Sequence, residues 1–111
     1  MPITYDIFEK VDLRSGVVVQ AEFFERAKKP AYKVWVDFGL EIGVKKTSAQ
    51  ITKHYTPKSL IGRLVIGCVN LEPRNIAGFI SEFLLVGCAD INGDICLLTT
   101  EHQVPQGQKV F

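Results

Sequence analysis

Apolar and polar residues alternate most regularly between Tyr32 and Phe38, where Tyr32, Val34, Val36 and Phe38 take turns with Lys33, Trp35 and Asp37. A period of two puts each set on its own face of an extended chain, so this segment is expected to be a strand with one face in the core. Upstream, Val17 to Phe24 is a β-branched and aromatic run, opened by Gly16 and closed by the loop Arg26 to Pro30, the composition of another strand. Gly39 and Gly43 bracket a turn into a third strand over Val44 to Thr47. Leu64 to Asn70 and Phe83 to Ala89 are continuous apolar runs of strand length. Asn92-Gly93, between Asp90-Ile91 and Asp94-Ile95, predicts a type I′ hairpin turn with positive φ at both central residues. That turn would pair Phe83 to Ala89 with Ile95 to Thr99.

The middle of the chain breaks this pattern. Ser48 is suited to cap a short helix over Ala49 to Tyr55, and Thr56-Pro57 reads as a cap with proline at the first helical position, ended by Gly62. Short strands with one helical insertion between the third and fourth describe an all-β, five-stranded OB-fold barrel. An immunoglobulin-like sandwich is the alternative, but the chain lacks its Cys-Trp-Cys spacing and that fold has no place for the helix. Tyr5, Ile7, Phe8, Val104, Val110 and Phe111 fall in N- and C-terminal extensions that would cover a barrel end or pair two subunits. At 111 residues the chain is expected to be a single domain, 1–111, able to bury its own core.

Composition narrows the chemistry. With 47% hydrophobic and 23% charged residues the chain has the balance of a globular domain. Met1 to Glu9 contains Asp6 and Glu9 and no apolar stretch, and no apolar run approaches the ~20 residues of a membrane span. The expectation is a cytoplasmic protein without membrane insertion. Cys68, Cys88 and Cys96 sit in apolar runs without C-x-x-C spacing, and His54 and His102 are far apart, so no metal or other cofactor is expected. Neither a nucleophile elbow nor a phosphate loop is present, so the chain is not expected to be an enzyme. His54, on the expected helix, reads as a phosphate contact, a general base or an ordinary surface residue. The net charge of +1 hides an uneven distribution, because ten Lys and Arg face three acids between Arg26 and Arg74. Such a segment is either a solvated surface or a concentrated positive face able to attract a polyanion.

The stretch Asn70-Leu71-Glu72-Pro73-Arg74-Asn75-Ile76-Ala77-Gly78-Phe79-Ile80-Ser81-Glu82 holds the most chemistry. It leaves an apolar strand, turns at Pro73, and presents Arg74, Asn75 and Ser81 around Gly78, where a ligand can approach the backbone. An arginine fork suits phosphate or stacks on a base, amide and hydroxyl groups bond base edges or sugars, and Phe79 can stack. The stretch is either a single-stranded RNA platform or a polar connection with Phe79 in the core.

At these residues the sequence resembles the tRNA-binding domain family, and within it the free-standing CsaA proteins. The resemblance runs through Phe8-Glu9-Lys10-Val11-Asp12-Leu13-Arg14-Ser15-Gly16, Pro30-Ala31-Tyr32-Lys33-Val34, Asp37-Phe38-Gly39, Ser48-Ala49-Gln50-Ile51-Thr52 and the Asn70 to Ser81 stretch. It implies an OB barrel, a homodimer using elements outside the barrel, no catalysis, and two ligands. These are tRNA and unfolded precursor proteins, the latter in a chaperone role alongside the Sec export machinery. By position, Asn70, Arg74, Gly78 and Ser81 match the tRNA-contacting motif, with Ser48 and Gln50 flanking the same pocket. Electrostatics adds Lys46 and Lys53, while Ile76, Phe79 and Trp35 are candidates for an apolar groove. One departure stands out: many tRNA-binding members continue Ser-x-Gly-Met where this chain reads Ser81-Glu82-Phe83-Leu84, which puts an acid and a bulky ring in that segment. Either the acid faces the groove and weakens RNA binding relative to polypeptide, or Phe83 begins the next strand's core face.

Overall fold

The computed structural model describes residues 1–111. A short helix α1 (Tyr5–Glu9) leads into β1 (Leu13–Phe23), β2 (Tyr32–Asp37) and β3 (Val44–Ala49), followed by helix α2 (Pro57–Leu60) and β4 (Leu64–Cys68). Then come β5 (Arg74–Ile76), β6 (Phe79–Ser81), β7 (Leu84–Leu85), β8 (Gly87–Ala89) and β9 (Ile95–Leu97). Five strands form one antiparallel sheet in the order β3-β2-β1-β4-β7, while β5-β6 and β8-β9 are separate hairpins. The sheet curls into a nearly closed barrel. Its open seam, between β3 and residues 81–85, is bridged by Thr47 Oγ1, which donates to the Phe83 carbonyl (2.6 Å), and by Glu82 N–H to the Lys46 carbonyl (2.8 Å). This is the expected OB fold.

β1 makes the barrel possible because its two halves pair on opposite sides: Leu13–Val17 with β4, and Val17–Phe23 with β2. A register shift between Val18 and Gln20 leaves Val19 unpaired, and a bulge of this kind bends a strand enough to close a small barrel. Two glycines lie where the bent sheet is tightest. A Cβ on Gly16 would come within 2.5 Å of Val36, and one on Gly67 within 2.8 Å of Phe38 and 2.9 Å of Phe83. The alternation read at Tyr32 to Phe38 is borne out, with Val34, Val36 and Phe38 fully buried. Val18, Ile51, Leu60, Val65 and Phe83 complete the core around them.

α2 sits between β3 and β4 as expected. Thr56 Oγ1 accepts from Ser59 N–H (3.0 Å) and Ser59 Oγ from Thr56 N–H (2.9 Å), a reciprocal cap that holds so short a helix. Gly62 takes φ +83 just past its end, and Leu60 seals the barrel with no exposed surface.

Three local expectations are corrected. Ser48 does not cap a helix over Ala49 to Tyr55: Ser48 and Ala49 continue β3, in register with Lys33 and Tyr32, and residues 50–55 form a turn. Phe83 to Ala89 is not one strand, because the chain passes from β4 to the β8–β9 hairpin at Val86. Val86 N–H donates to Ile66, while its carbonyl accepts from Leu98 N–H. The β8–β9 pairing itself is as expected, but its turn is not type I′. Gly93 alone has positive φ there, with Gly93 N–H bonded to the Asp90 carbonyl and Asp90 N–H to that of Asp94, a type I turn followed by a glycine bulge.

The true type I′ turn lies at Ala77-Gly78, with φ +49 and +86, joining β5 to β6. The stretch read as a loop platform is therefore a β-hairpin, pairing Arg74 with Ser81 and Ile76 with Phe79. The extensions are also placed. Residues 107–110 run along the first half of β1, on the side β2 leaves vacant. α1 has no buried residue.

Candidate nucleic-acid and polypeptide groove

A groove of about 860 Å³ runs between the β1–β2 loop, the end of β3, the β5–β6 hairpin and the segment leading into β8–β9. Its charge is one-sided: Arg26, Lys28, Lys29 and Arg74 line it and no acid does. Ile51, Ile76, Leu85, Ile95 and Leu97, buried or half-buried, supply an apolar floor, with Leu84 exposed beside them. A groove with cations above and hydrocarbon below accepts phosphates along its rim and bases or apolar side chains beneath.

Of the residues singled out in the sequence, Ser48, Gln50, Arg74 and Ile76 line this groove. Ser81 stands directly behind them. Its Oγ accepts from Ser48 N–H (3.0 Å) and lies 3.1 Å from Ser48 Oγ, so β6 is fastened to β3 by two adjacent hydroxyls. Gly78 shapes the turn, and its N–H donates to Asn75 Oδ1 (2.8 Å), which orients that side chain. Pro73, exposed, precedes β5.

Other candidates lie elsewhere. Asn70 is committed to packing the chain: its Oδ1 accepts from Asp12 N–H (3.0 Å) and its Nδ2 donates to the Lys10 carbonyl (2.7 Å). Phe79 stands on the outer face of β2–β3, edge-on to Phe24 and Trp35 at 5.5 and 5.9 Å. The Lys33 and Lys46 ammonium groups sit about 5 Å from its ring. Phe79 and Trp35 therefore pin the hairpin to the barrel rather than line the groove, and Lys46 is drawn into the same cluster. Lys53 is exposed on the 50–55 turn. Next to it, His54 bonds Asp90 through Nε2 at 2.6 Å, and this contact together with the Asn92 and Asp94 N–H groups holds the Asp90 carboxyl below its ordinary pKa.

The Glu82-Phe83 question resolves toward packing. Glu82 Oε1 accepts from Lys46 N–H (3.0 Å), and Phe83 is buried with its ring edge-on to Phe38 at 5.0 Å. Neither faces the groove.

Sequence reasoning counted Arg26, Lys28 and Lys29 as charge but did not place them in the site. Arg26 Nη1 lies 3.8 Å from where a Gly78 Cβ would stand, so it reaches across to the type I′ turn. The signal was a basic loop between the first two strands, the loop OB folds use toward oligonucleotides.

Residues 13–109 match the family model described as "Putative tRNA binding domain". Methionine–tRNA ligase of Methanocaldococcus jannaschii is 36% identical over 108 residues, 97% of this chain and 16% of that protein. The corresponding ligase of Methanothrix thermoacetophila is 40% identical over 105 residues, 95% and 15% respectively. The chain thus spans about a sixth of these relatives' length. Among solved structures, the CsaA chaperone of Bacillus anthracis superposes with a TM-score of 0.93 at 41% identity, covering all of both chains. The CsaA chaperone protein of Picrophilus torridus gives 0.91 at 42%, covering 99% of this chain and 100% of that one. No helix here is long and apolar enough to cross a membrane. By sequence along nearly its whole length and by the course of its backbone, this chain belongs to the tRNA-binding domain family and is of the CsaA type.

Proposed function

We propose that this protein is a single, non-catalytic domain, 1–111, that binds tRNA in the cytoplasm through the groove bounded by Arg26, Lys28, Lys29 and Arg74. The observation that carries this reading is four cations and no acid along a groove with an apolar floor. The rim would hold the phosphate backbone, with Ser48, Gln50 and Asn75 within reach of bases and sugars and Ser81 and Gly78 holding the hairpin that presents Arg74. Binding of this kind depends steeply on salt, each neutralised phosphate contributing about −0.7 to −0.9 to the slope of log affinity against log salt. Gel-shift titrations of tRNA over a salt series should show this slope, and Arg74→Ala should weaken binding about tenfold and flatten the slope by about one phosphate's share. An absence of binding at low salt would overturn the reading, and an Arg74→Ala protein with unchanged affinity and slope would move the site elsewhere.

A second reading is a chaperone for unfolded precursor proteins, working beside the Sec export machinery. The apolar floor of the same groove supports it, as does likeness to proteins named chaperones. Titrating tRNA against a bound precursor peptide separates the two. Displacement means one shared groove; unaffected peptide means a second surface.

We also propose a homodimer formed through the extensions, where Met1, Ile3, Tyr5, Ile7, Val11 and Phe111 are exposed. Sedimentation equilibrium should give twice the chain mass, and a monomer at tens of micromolar would refute it.

A further inference from the structure

We propose that the outer face of the β8–β9 hairpin, together with the turn carrying His54, binds a thiophilic divalent metal ion of the zinc type, with His54, Asp90 and Cys96 as ligands and Cys88 as the fourth. His54 Nε2, an Asp90 carboxylate oxygen and Cys96 Sγ all lie within 4.8 Å of one another. Tetrahedral zinc holds nitrogen and oxygen at about 2.0–2.2 Å and sulfur at about 2.3 Å, which sets ligand atoms about 3.2–3.8 Å apart. The three donors therefore need to shift by about an ångström, with His54 and Asp90 parting from 2.6 Å and the sulfur closing in.

The fourth ligand comes from the strand register. Cys88 pairs directly with Cys96, and directly opposed residues project from the same face of a hairpin. Asp90, two residues beyond Cys88, projects there too. Ile95 and Leu97 have the opposite parity and pack against the core, so the cysteine face is turned outward, and both thiols are exposed. An ion can reach them.

The site is also oriented in advance. Asp90 Oδ1 accepts from Asn92 N–H and Asp94 N–H, both at 2.9 Å, which leaves Oδ2 aimed at His54. Tyr55, next to His54, is tied to the same hairpin, its hydroxyl accepting from Leu97 N–H at 2.8 Å. Supporting bonds of this kind fix the rotamers of ligand side chains before the ion arrives. Imidazole, carboxylate and two thiols form a donor set that selects zinc over magnesium or calcium. A bound ion would clamp the 50–55 turn to the hairpin whose inner face lines the groove.

The test uses the full, reduced, metal-free protein titrated anaerobically with Co²⁺. The expected result is one ion per chain, with the visible bands of tetrahedral cobalt and an ultraviolet thiolate-to-cobalt charge-transfer band, all displaced by Zn²⁺. Cys88→Ser should keep the tetrahedral bands and lose about half the charge-transfer intensity, as expected for one of two thiolates. Cys96→Ser and His54→Ala should each weaken binding at least about tenfold. Both alter exposed or half-exposed side chains, so circular dichroism should report an unchanged fold. In parallel, Zn²⁺ should protect Cys88 and Cys96 from alkylation read by mass spectrometry, with buried Cys68 as internal reference. A cobalt spectrum without charge transfer, a cobalt affinity unchanged by Cys96→Ser, or alkylation indifferent to Zn²⁺ would each overturn the proposal and leave His54 and Asp90 as a hydrogen-bonded pair only.

Discussion

Ala77 holds the left-handed conformation at φ +49, which costs a residue with a Cβ roughly 1–2 kcal/mol. It is tolerated because the hairpin needs two positive-φ residues in succession and Gly78 supplies only the second. Asparagine adopts this conformation more readily, and Asn-Gly is the preferred type I′ pair. Ala77→Asn should therefore raise the free energy of unfolding by about 0.5–1 kcal/mol, measured by thermal or urea denaturation. An unchanged or lowered midpoint would show that the turn is not strained. The same scale shows where sequence reading reaches its limit. Arg74, Ser48 and Gln50 could be placed at a pocket because they match positions of the tRNA-binding domain family's motif, and all three line the groove. Asn70 could not be read correctly, because its amide is used by Asp12 and Lys10, 58 and 60 residues away in the chain. Neither partner is implied by anything local to it.

At the level of elements, strands were legible wherever burial alternated and obscure wherever long-range pairing overrode local preference. Ser48-Ala49 has the composition of a helix start, yet the ladder to Lys33 and Tyr32 keeps it extended. Phe83 to Ala89 is uniformly apolar, so periodicity had no means of marking Val86 as the point where the chain changes sheets. The hairpin turns were exchanged for a related reason. Asn92-Gly93 has the residues of a type I′ turn, but Asp90 Oδ1 collects the N–H groups of Asn92 and Asp94 and stabilises a type I turn with a bulge. The basic loop Arg26 to Lys29 and the His54-Asp90-Cys96 group are legible only once the elements are assembled. Cationic side chains on a loop acquire direction from the barrel that carries them. A donor set split between positions 54, 88, 90 and 96 has no spacing that sequence inspection would register as a metal site.

Across the whole molecule, the terminal segments are locked to the barrel by one charged cluster centred on Asp12. Its carboxylate accepts from Arg14 Nε at 2.6 Å and lies 3.5 Å from Lys109 Nζ, while Arg14 Nη1 donates to the Gly107 carbonyl at 3.0 Å. With Asn70 holding the Asp12 backbone, the segment before β1, the end of β4 and the C-terminal extension meet at one point. The Arg14 hydrogen bond, aided by the Arg14 and Lys109 charges and opposed by desolvation, holds the Asp12 carboxyl below its ordinary pKa. A carboxyl whose pKa is lower folded than unfolded binds its proton less readily in the native state. Its contribution is therefore complete above the unfolded value, near pH 4, and is lost as pH falls through the lower folded value. The Asp12 side chain is 26% exposed, so solvent screening limits the cluster to about 1 kcal/mol. Asp12→Asn should lower the urea midpoint at pH 7 by a corresponding amount and lose less stability on acidification, so that the two proteins converge once the pH has fallen through the lowered folded value of Asp12. Parallel loss of stability in both proteins from pH 7 to pH 3 would show that the terminal segments are held by their backbone hydrogen bonds to β1 and not by this charge.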